Sequence, residues 1–257
     1  MNLSQSITFV HTQAVMKLKS QANTLVLSYL WLIIEPLLYV VLFYFVFKYV
    51  LYRGGDDFFI FLVVGKIPFL WFSKSVTSGA SSITENRGLI LQRRMPKWLF
   101  PVINCQESIY KQCIAFAIMF MALFFSGYEI TQGWWQLLPL ILINYILIVG
   151  IAMLLCVFVT YAPDFKMAIQ FLMMGLMFTS GIFWDVNMIQ DPAMKDLLLL
   201  LNPIASLIDS YRQILMYGGE LSIRYMGSVL GWAVLFGVFG AVALHNYSNG
   251  LTRKLLS

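Results

Sequence analysis

Residues 137–160 read LLPLILINYILIVGIAMLLCVFVT, with no Asp, Glu, Lys or Arg among them. A helix needs about 20 mostly apolar residues to cross a bilayer, and this stretch has the length with nothing to hold it in water. Five more stretches of the same character accompany it, at roughly 25–52, 58–80, 104–126, 167–184 and 226–246. The 257-residue chain is 60% hydrophobic and only 11% charged, whereas soluble domains run near 25% charged. The expected fold is an all-α integral membrane protein with six transmembrane helices. One membrane domain over residues 1–257 then leaves no room for a soluble domain of ordinary size.

The placement of charge orients these spans. Lys17 and Lys19 precede the first, Arg87, Arg93, Arg94, Lys97 and Lys111 surround the connection between the second and third, and Lys166 follows the fourth. Arg253 and Lys254 lie near the C-terminus, while the loop 127–136 has no basic residue and 53–57 is net negative. Positive charge favours the cytoplasmic side, which puts both termini there, as an even span count also requires. These charges hug span ends, so a nucleic-acid partner is not expected.

Several chemistries are missing. Gly65–Lys66 lacks the glycine pattern of a P-loop, and the two histidines, His11 and His245, sit at opposite ends of the chain. Cys105 and Cys113 are about 12 Å apart along one helix, beyond disulfide reach, and Cys156 lies within a span. No metal, cofactor or catalytic residue is expected in this chain, and residues 1–22 lack the apolar core of a cleavable signal. Energy for any transport has to come from another subunit.

Between the spans, the pattern is specific. Leu3, Ile7, Val10, Ala14, Leu18 and Ala22 recur at helical spacing, so 3–22 is an amphipathic helix lying at the membrane surface. It serves either as an anchor or as a contact for a cytoplasmic partner. Glu35 and Lys74 fall inside the first two spans, where charge is costly. Antiparallel numbering about residue 55 sets them at equal depth, as an intramembrane ion pair. Lys66 has no such partner and either snorkels or lines a polar path. The segment 81–103 begins with Ser82 and Glu85 in a capping-box pattern, then sets Leu89, Ile90 and Leu91 beside Arg93 and Arg94 as a docking surface. In 185–225, Asn202–Pro203 splits two apolar pieces too short to span. They read as re-entrant half-helices over 187–218, or as a hairpin on the surface.

The ordered set YLWLIIEPLL (29–38), VGKIPFLWF (64–72), NRGLILQRRMPKWLFPV (86–102), the Asp164 loop and NPIASLIDSYRQIL (202–215) resembles the permease subunits of polysaccharide-exporting ABC transporters, those for capsule, O-antigen and teichoic acid. Two positions depart from that pattern: Tyr161-Ala162-Pro163-Asp164 stands where the family has Tyr-Arg-Asp, and Ser180-Gly181 where it has Ser-Pro. The resemblance implies a homodimer paired with two copies of a P-loop ATPase, which holds ATP and magnesium. It makes 3–22 the interface helix and about 82–95 the coupling helix, with Glu85, Asn86, Arg87, Leu89, Ile90, Arg93 and Arg94 facing the ATPase. The implied substrate is a lipid-linked polysaccharide crossing the inner membrane. Aromatic rings pack on the apolar faces of sugars, so Phe59, Lys66, Phe69 and Trp71 of the second span are expected along the translocation path. Interfacial belts are the competing account of such residues, Trp134, Trp135 and Trp184 included. A drug or lipid exporter of this architecture is the alternative function. A membrane-embedded glycan-processing enzyme is a further one, but it requires a polar catalytic cluster that the sequence does not offer.

Overall fold

The computed structural model describes residues 3–24, 28–50, 57–92 and 95–256; the loop residues 51–56, Arg93 and Arg94, and the side chains of 3, of 21–33 and of Pro36 lie outside the described residues. Every regular element among them is helical: α1 (Leu3–Thr24), α2 (Ser28–Phe45, continued by a π turn Val46–Val50), α3 (Phe58–Glu85), α4 (Arg87–Gln92), α5 (Leu99–Phe125), α6 (Leu137–Tyr161), α7 (Phe165–Thr179), α8 (Pro192–Leu201), α9 (Pro203–Leu215), α10 (Ile223–Asn246) and α11 (Ser248–Leu256). Among the described residues, four helices are long and apolar enough to cross a membrane, namely α3, α5, α6 and α10, while Leu37–Val50 and α7 are apolar but shorter.

The layout follows from which helices are enclosed. The most apolar window of α3 is 78% buried and that of α10 only 22%. The enclosed helix α3 is the axis on which α2, α5, α6, α7 and α9 pack. Close approach depends on small residues, as is usual between membrane helices. A Cβ on Gly79 would lie 2.5 Å from the Ala152 Cβ, and one on Gly150 would lie 2.8 Å from the Gly237 nitrogen. Gly240 meets the α6 backbone in the same way, 2.9 Å from Leu154 N. The far side of α10 shows Val234, Val238 and Phe239 outward, a surface suited to lipid.

A single cation ties α9 to the centre. Arg212 is 1% exposed, and its guanidinium donates to the carbonyls of Gly181 (2.6 Å), Ile182 (2.9 Å) and Phe61 (3.3 Å). It also lies 3.4 Å from the centroid of the Phe61 ring. Gly65 is bare because a Cβ there would meet the guanidinium at 2.6 Å. Gly181 turns the chain after α7 at φ +73°, a conformation that favours glycine.

The paired short helices have explicit starts. The Asp191 side chain accepts from Ala193 N, the Asn202 side chain accepts from Ile204 N and Ala205 N, and each helix opens with proline. Capping oxygen followed by proline satisfies one set of orphan amides and removes another. This is why the apolar run stops at Asn202. Arg224 of α10 binds Asp196 of α8 at 2.7 Å, and Trp232 donates to the Leu200 carbonyl at 3.0 Å.

Three sequence expectations are corrected. Ser82 begins no helix: α3 runs on to Glu85, with Ser82 buried inside it, and the stop comes at Asn86, whose side chain donates to the Ser82 carbonyl at 2.7 Å. The third span starts at Leu99 rather than 104, with Pro101 tolerated in the first turn. On α1 the buried line is Ser6, Val10 and Ala14, at i and i+4, whereas Ile7 is 63% exposed. The helix is rotated by its docking on α5, where Val10 meets Leu99 and Ile103, Lys17 donates to Asn104 at 2.7 Å, and His11 meets Tyr110 at 2.7 Å.

Two outcomes follow. Arg212→Met removes the guanidinium from the Gly181 and Ile182 carbonyls, at about 1–3 kcal/mol per buried group, so it lowers the unfolding temperature sharply in a detergent melt, while Arg224→Met, on an exposed pair, barely moves it. Gly150→Leu forces α6 from α10 and costs about 1–3 kcal/mol by overpacking, which the same melt reads.

Candidate functional site

Beyond Leu70, α3 changes character. Ser73, Lys74, Thr77, Ser78, Ser81 and Glu85 fall along one side, and with Lys166 and Gln170 of α7 they line a polar groove of about 370 Å³. Lys74 Nζ lies 2.5 Å from Glu35 Oε2, with the side chains 50% and 38% exposed. The pair therefore stands at a rim and is not enclosed by this chain. A second polar cavity, of about 250 Å³, opens on the other side of Lys74 between α2, α3 and α5.

The aromatic half of α3 points elsewhere. Lys66 is 3% exposed, with its ammonium 4.9, 5.3 and 5.5 Å from the ring centroids of Tyr39, Phe43 and Phe69 and 2.8 Å from the Met177 sulfur. Ring faces and a thioether take the place of a carboxylate, an arrangement worth more when desolvated. Phe69 and Trp71 are also buried, Trp71 edge-on to Phe116 at 5.9 Å. Phe59 is half-buried, edge-on to Tyr44 at 5.4 Å. In this conformation Lys66, Phe69 and Trp71 thus lie inside the chain, and the groove beside them is hydroxylic.

At the other end of α3 a vestibule of about 1020 Å³ opens, with Phe58, Phe61, Tyr128, Phe183, Trp184 and Tyr217 among its walls and the carboxylates Asp57 and Asp185 beside them. The rings are held. Phe47 stacks on Phe183 at 5.4 Å and 6°, Trp184 Nε1 donates to the Phe178 carbonyl at 2.9 Å, and the Tyr217 hydroxyl donates to Asp185 at 3.3 Å. Burial, reinforced by the Asp57 carboxylate, pushes the Tyr128 hydroxyl up to about 12, so it remains a donor at neutral pH. Flat apolar rings with acceptor oxygens at their edges complement a ligand with C–H faces and outward hydroxyls. Sequence reading picked out Trp184 but not the cavity, because its walls come from several separate helix ends. Aromatic–carboxylate pairs at those ends (Asp57–Phe58, Trp184–Asp185) are the signal that was there.

At the basal end, where α1, α4 and α11 gather, the expected docking segment is partly packed away. Glu85, Arg87 and Leu91 are exposed, Asn86 and Leu89 are half-buried, and Ile90 is only 7% exposed. Ile90 joins Ile83 and Phe100 beneath Leu251 and Leu255 of α11, a helix the sequence reading did not anticipate. Lys97 holds α11 in place through the Ser248 carbonyl and, at 2.9 Å, its hydroxyl, and burial lowers the Lys97 pKa.

The exposure of the Glu35–Lys74 pair sets its expected weight. Exposed pairs contribute about 0–1 kcal/mol, so Glu35→Gln and Lys74→Gln each leave the melting temperature within a few degrees of wild type. A loss comparable to that of Arg212→Met would mean that the pair is enclosed in the assembled protein.

Comparison with known proteins places this architecture. Residues 15–216 match the family model described as ABC-2 type transporter. The chain is 26% identical over 225 residues to the O-antigen export system permease protein RfbA of Klebsiella pneumoniae, covering 87% of this chain and 85% of that protein. It is 25% identical over 204 residues to the RfbA of Myxococcus xanthus, covering 77% and 76%. To the polysialic acid transport protein KpsM of Escherichia coli it is 26% identical over 199 residues, covering 75% of each. An all-helical chain whose family match runs from α1 to just past α9 is a multi-pass membrane protein and belongs to the ABC-2 type transporter family.

Proposed function

We propose that this chain is the permease subunit of an ATP-driven exporter that moves a lipid-linked polysaccharide across the inner membrane. The observation that carries the reading is the vestibule, whose aromatic walls and paired carboxylates suit successive sugar rings of a sliding polymer. The hydroxylic groove on α3 and α7 supplies polar contacts along the same helix. The names of the relatives, an O-antigen export system permease and a polysialic acid transport protein, support the substrate class.

In this reading the basal end is cytoplasmic, as the clustering of basic residues favours, and both termini lie there. The six spans are α2 with its π turn, α3, α5, α6, α7 and α10. The short helices α8 and α9 are re-entrant from the outer face, their broken backbone shielded by protein as membrane depth requires. Two copies of the chain enclose the path. The α4 segment, with Arg93 and Arg94 after it, docks on a separate P-loop ATPase. Lys66 and its cage back the path wall, and Phe59 stands near its outer end.

The reading yields separable outcomes in proteoliposomes holding the permease and its ATPase. Trp184→Ala combined with Phe183→Ala lowers polymer export several-fold while ATP hydrolysis continues. Leu91→Glu, on the exposed side of α4, loses the ATPase on co-purification. Ile90→Ala, on its packed side, instead costs about 2 kcal/mol or more of stability. Undiminished export from the double vestibule variant would defeat the proposal.

A further inference from the structure

A pocket at the basal end, between α6, α10 and the turn before α5, plays no part in the path above. It holds about 630 Å³, within the range of about 300–1,000 Å³ usual for ligand pockets. It lies where two long apolar helices end, since α10 stops at Asn246 and α5 begins at Leu99. One side of it is apolar, made by Trp98, Met153, Val242 and Leu244. Val242 is 50% exposed and follows Val238 by one helical turn. The apolar side therefore runs on into the outward face of α10.

The other side is polar and cationic, with Lys97, His245 and Asn246, and none of the described lining residues is acidic. The Lys97 ammonium donates to the Ser248 carbonyl and hydroxyl. Both acceptors are neutral, and no carboxylate among the described residues pairs with this cation. An ammonium has three N–H groups, so one is left for the pocket. Burial with nothing to offset it holds the Lys97 pKa below its usual value, and an anion beside it favours the charged form again. His245 keeps a ring N–H in either tautomer, and Asn246 adds amide donors. The polar side thus offers donors and a positive charge to an anion.

We infer that this pocket binds the headgroup of an anionic phospholipid from the leaflet at the basal end. The phosphate oxygens accept from Lys97, His245 and Asn246, and an acyl chain follows Val242 and Val238 along α10. Trp98, 37% exposed, sits at the headgroup level that tryptophan favours. Basic pockets between membrane helices suit phosphate headgroups. A soluble phosphate would leave the apolar side uncovered, which is why the ligand is a lipid. Lys97 also holds Ser248, the first residue of α11, so a lipid here braces the helix that covers Ile90. The inference is independent of what the chain transports.

The test uses the full chain in dodecyl maltoside, without ATPase or nucleotide. Dioleoyl phosphatidylglycerol is expected to raise the unfolding temperature by several degrees, and dioleoyl phosphatidylcholine by less than half as much. Lys97→Gln and His245→Glu should each at least halve the phosphatidylglycerol rise, and Lys97→Arg should keep it. Lys19→Gln, which removes the same charge from an exposed position on α1, should leave it intact. If Lys97→Gln fails to elute as a monodisperse species, His245→Glu, which spares the Ser248 contact, carries the comparison. No rise, an equal rise with phosphatidylcholine, or a rise undiminished in both pocket variants would overturn the inference. A rise lost equally in Lys19→Gln would overturn it in favour of diffuse charge attraction. An equal rise with glycerol phosphate would do so by assigning the pocket to a soluble phosphate.

Discussion

Arg212 is a full positive charge in the interior of a membrane protein, and among the described residues it has no carboxylate in contact. Its compensation is main-chain: three carbonyl oxygens, two from the turn after α7 and one from α3. Carbonyls can serve a guanidinium only if the backbone that carries them is already bent outward, so the cation and the turn define one another. Gly181 supplies the left-handed step and Gly65 the space. Through this one contact α7, α3 and α9 meet at a common point, and the vestibule walls Phe61, Phe183 and Trp184 radiate from it. Without Arg212 those rings have no reason to share a cavity.

The helix α3 divides its labour along its length. Its N-terminal portion is apolar on every side and packs aromatic residues against α2, α5 and α7, storing even Lys66 among rings. Its C-terminal portion turns serine and threonine toward a groove while keeping alanine, glycine and isoleucine toward the core. Short hydroxyl side chains suit this, because they bond their own helix carbonyls, as Thr77 does to Ser73 at 2.8 Å, and still offer a surface oxygen. A polar face is thus presented at membrane depth without an unsatisfied backbone.

Much of this was open to reading from the sequence, and what escaped did so for identifiable reasons. Hydropathy finds long helices because every backbone group in a bilayer has to be paired within its own segment, and the break at Asn202–Pro203 announces itself by capping chemistry. Antiparallel numbering set Glu35 and Lys74 level, and their side chains lie 2.5 Å apart. Lys66 and Phe69, three apart, share a face for the same periodic reason. Local rules failed where tertiary partners decide. Ser82–Glu85 has the spelling of a helix start, yet packing against the α6–α10 end carries α3 straight through it. The expected face of α1 included Val10 and Ala14, which are buried, but the hydrogen bonds of His11 and Lys17 to α5 turn the helix so that Ser6 is buried with them and Ile7 is not. Nothing local marks Arg212 as buried, since its partners are carbonyls distant in the chain and carbonyls have no spelling.

The burial of Ile90 beneath Leu251 and Leu255 has a consequence in time. A polypeptide is made from its N-terminus, so α4 emerges from the ribosome long before α11 exists. Until α11 is released, the underside of α4 has no cover and Lys97 has no Ser248 to hold. A product that stops before α11, even one already inserted in the bilayer, leaves Ile83, Ile90 and Phe100 without the leucines that cover them.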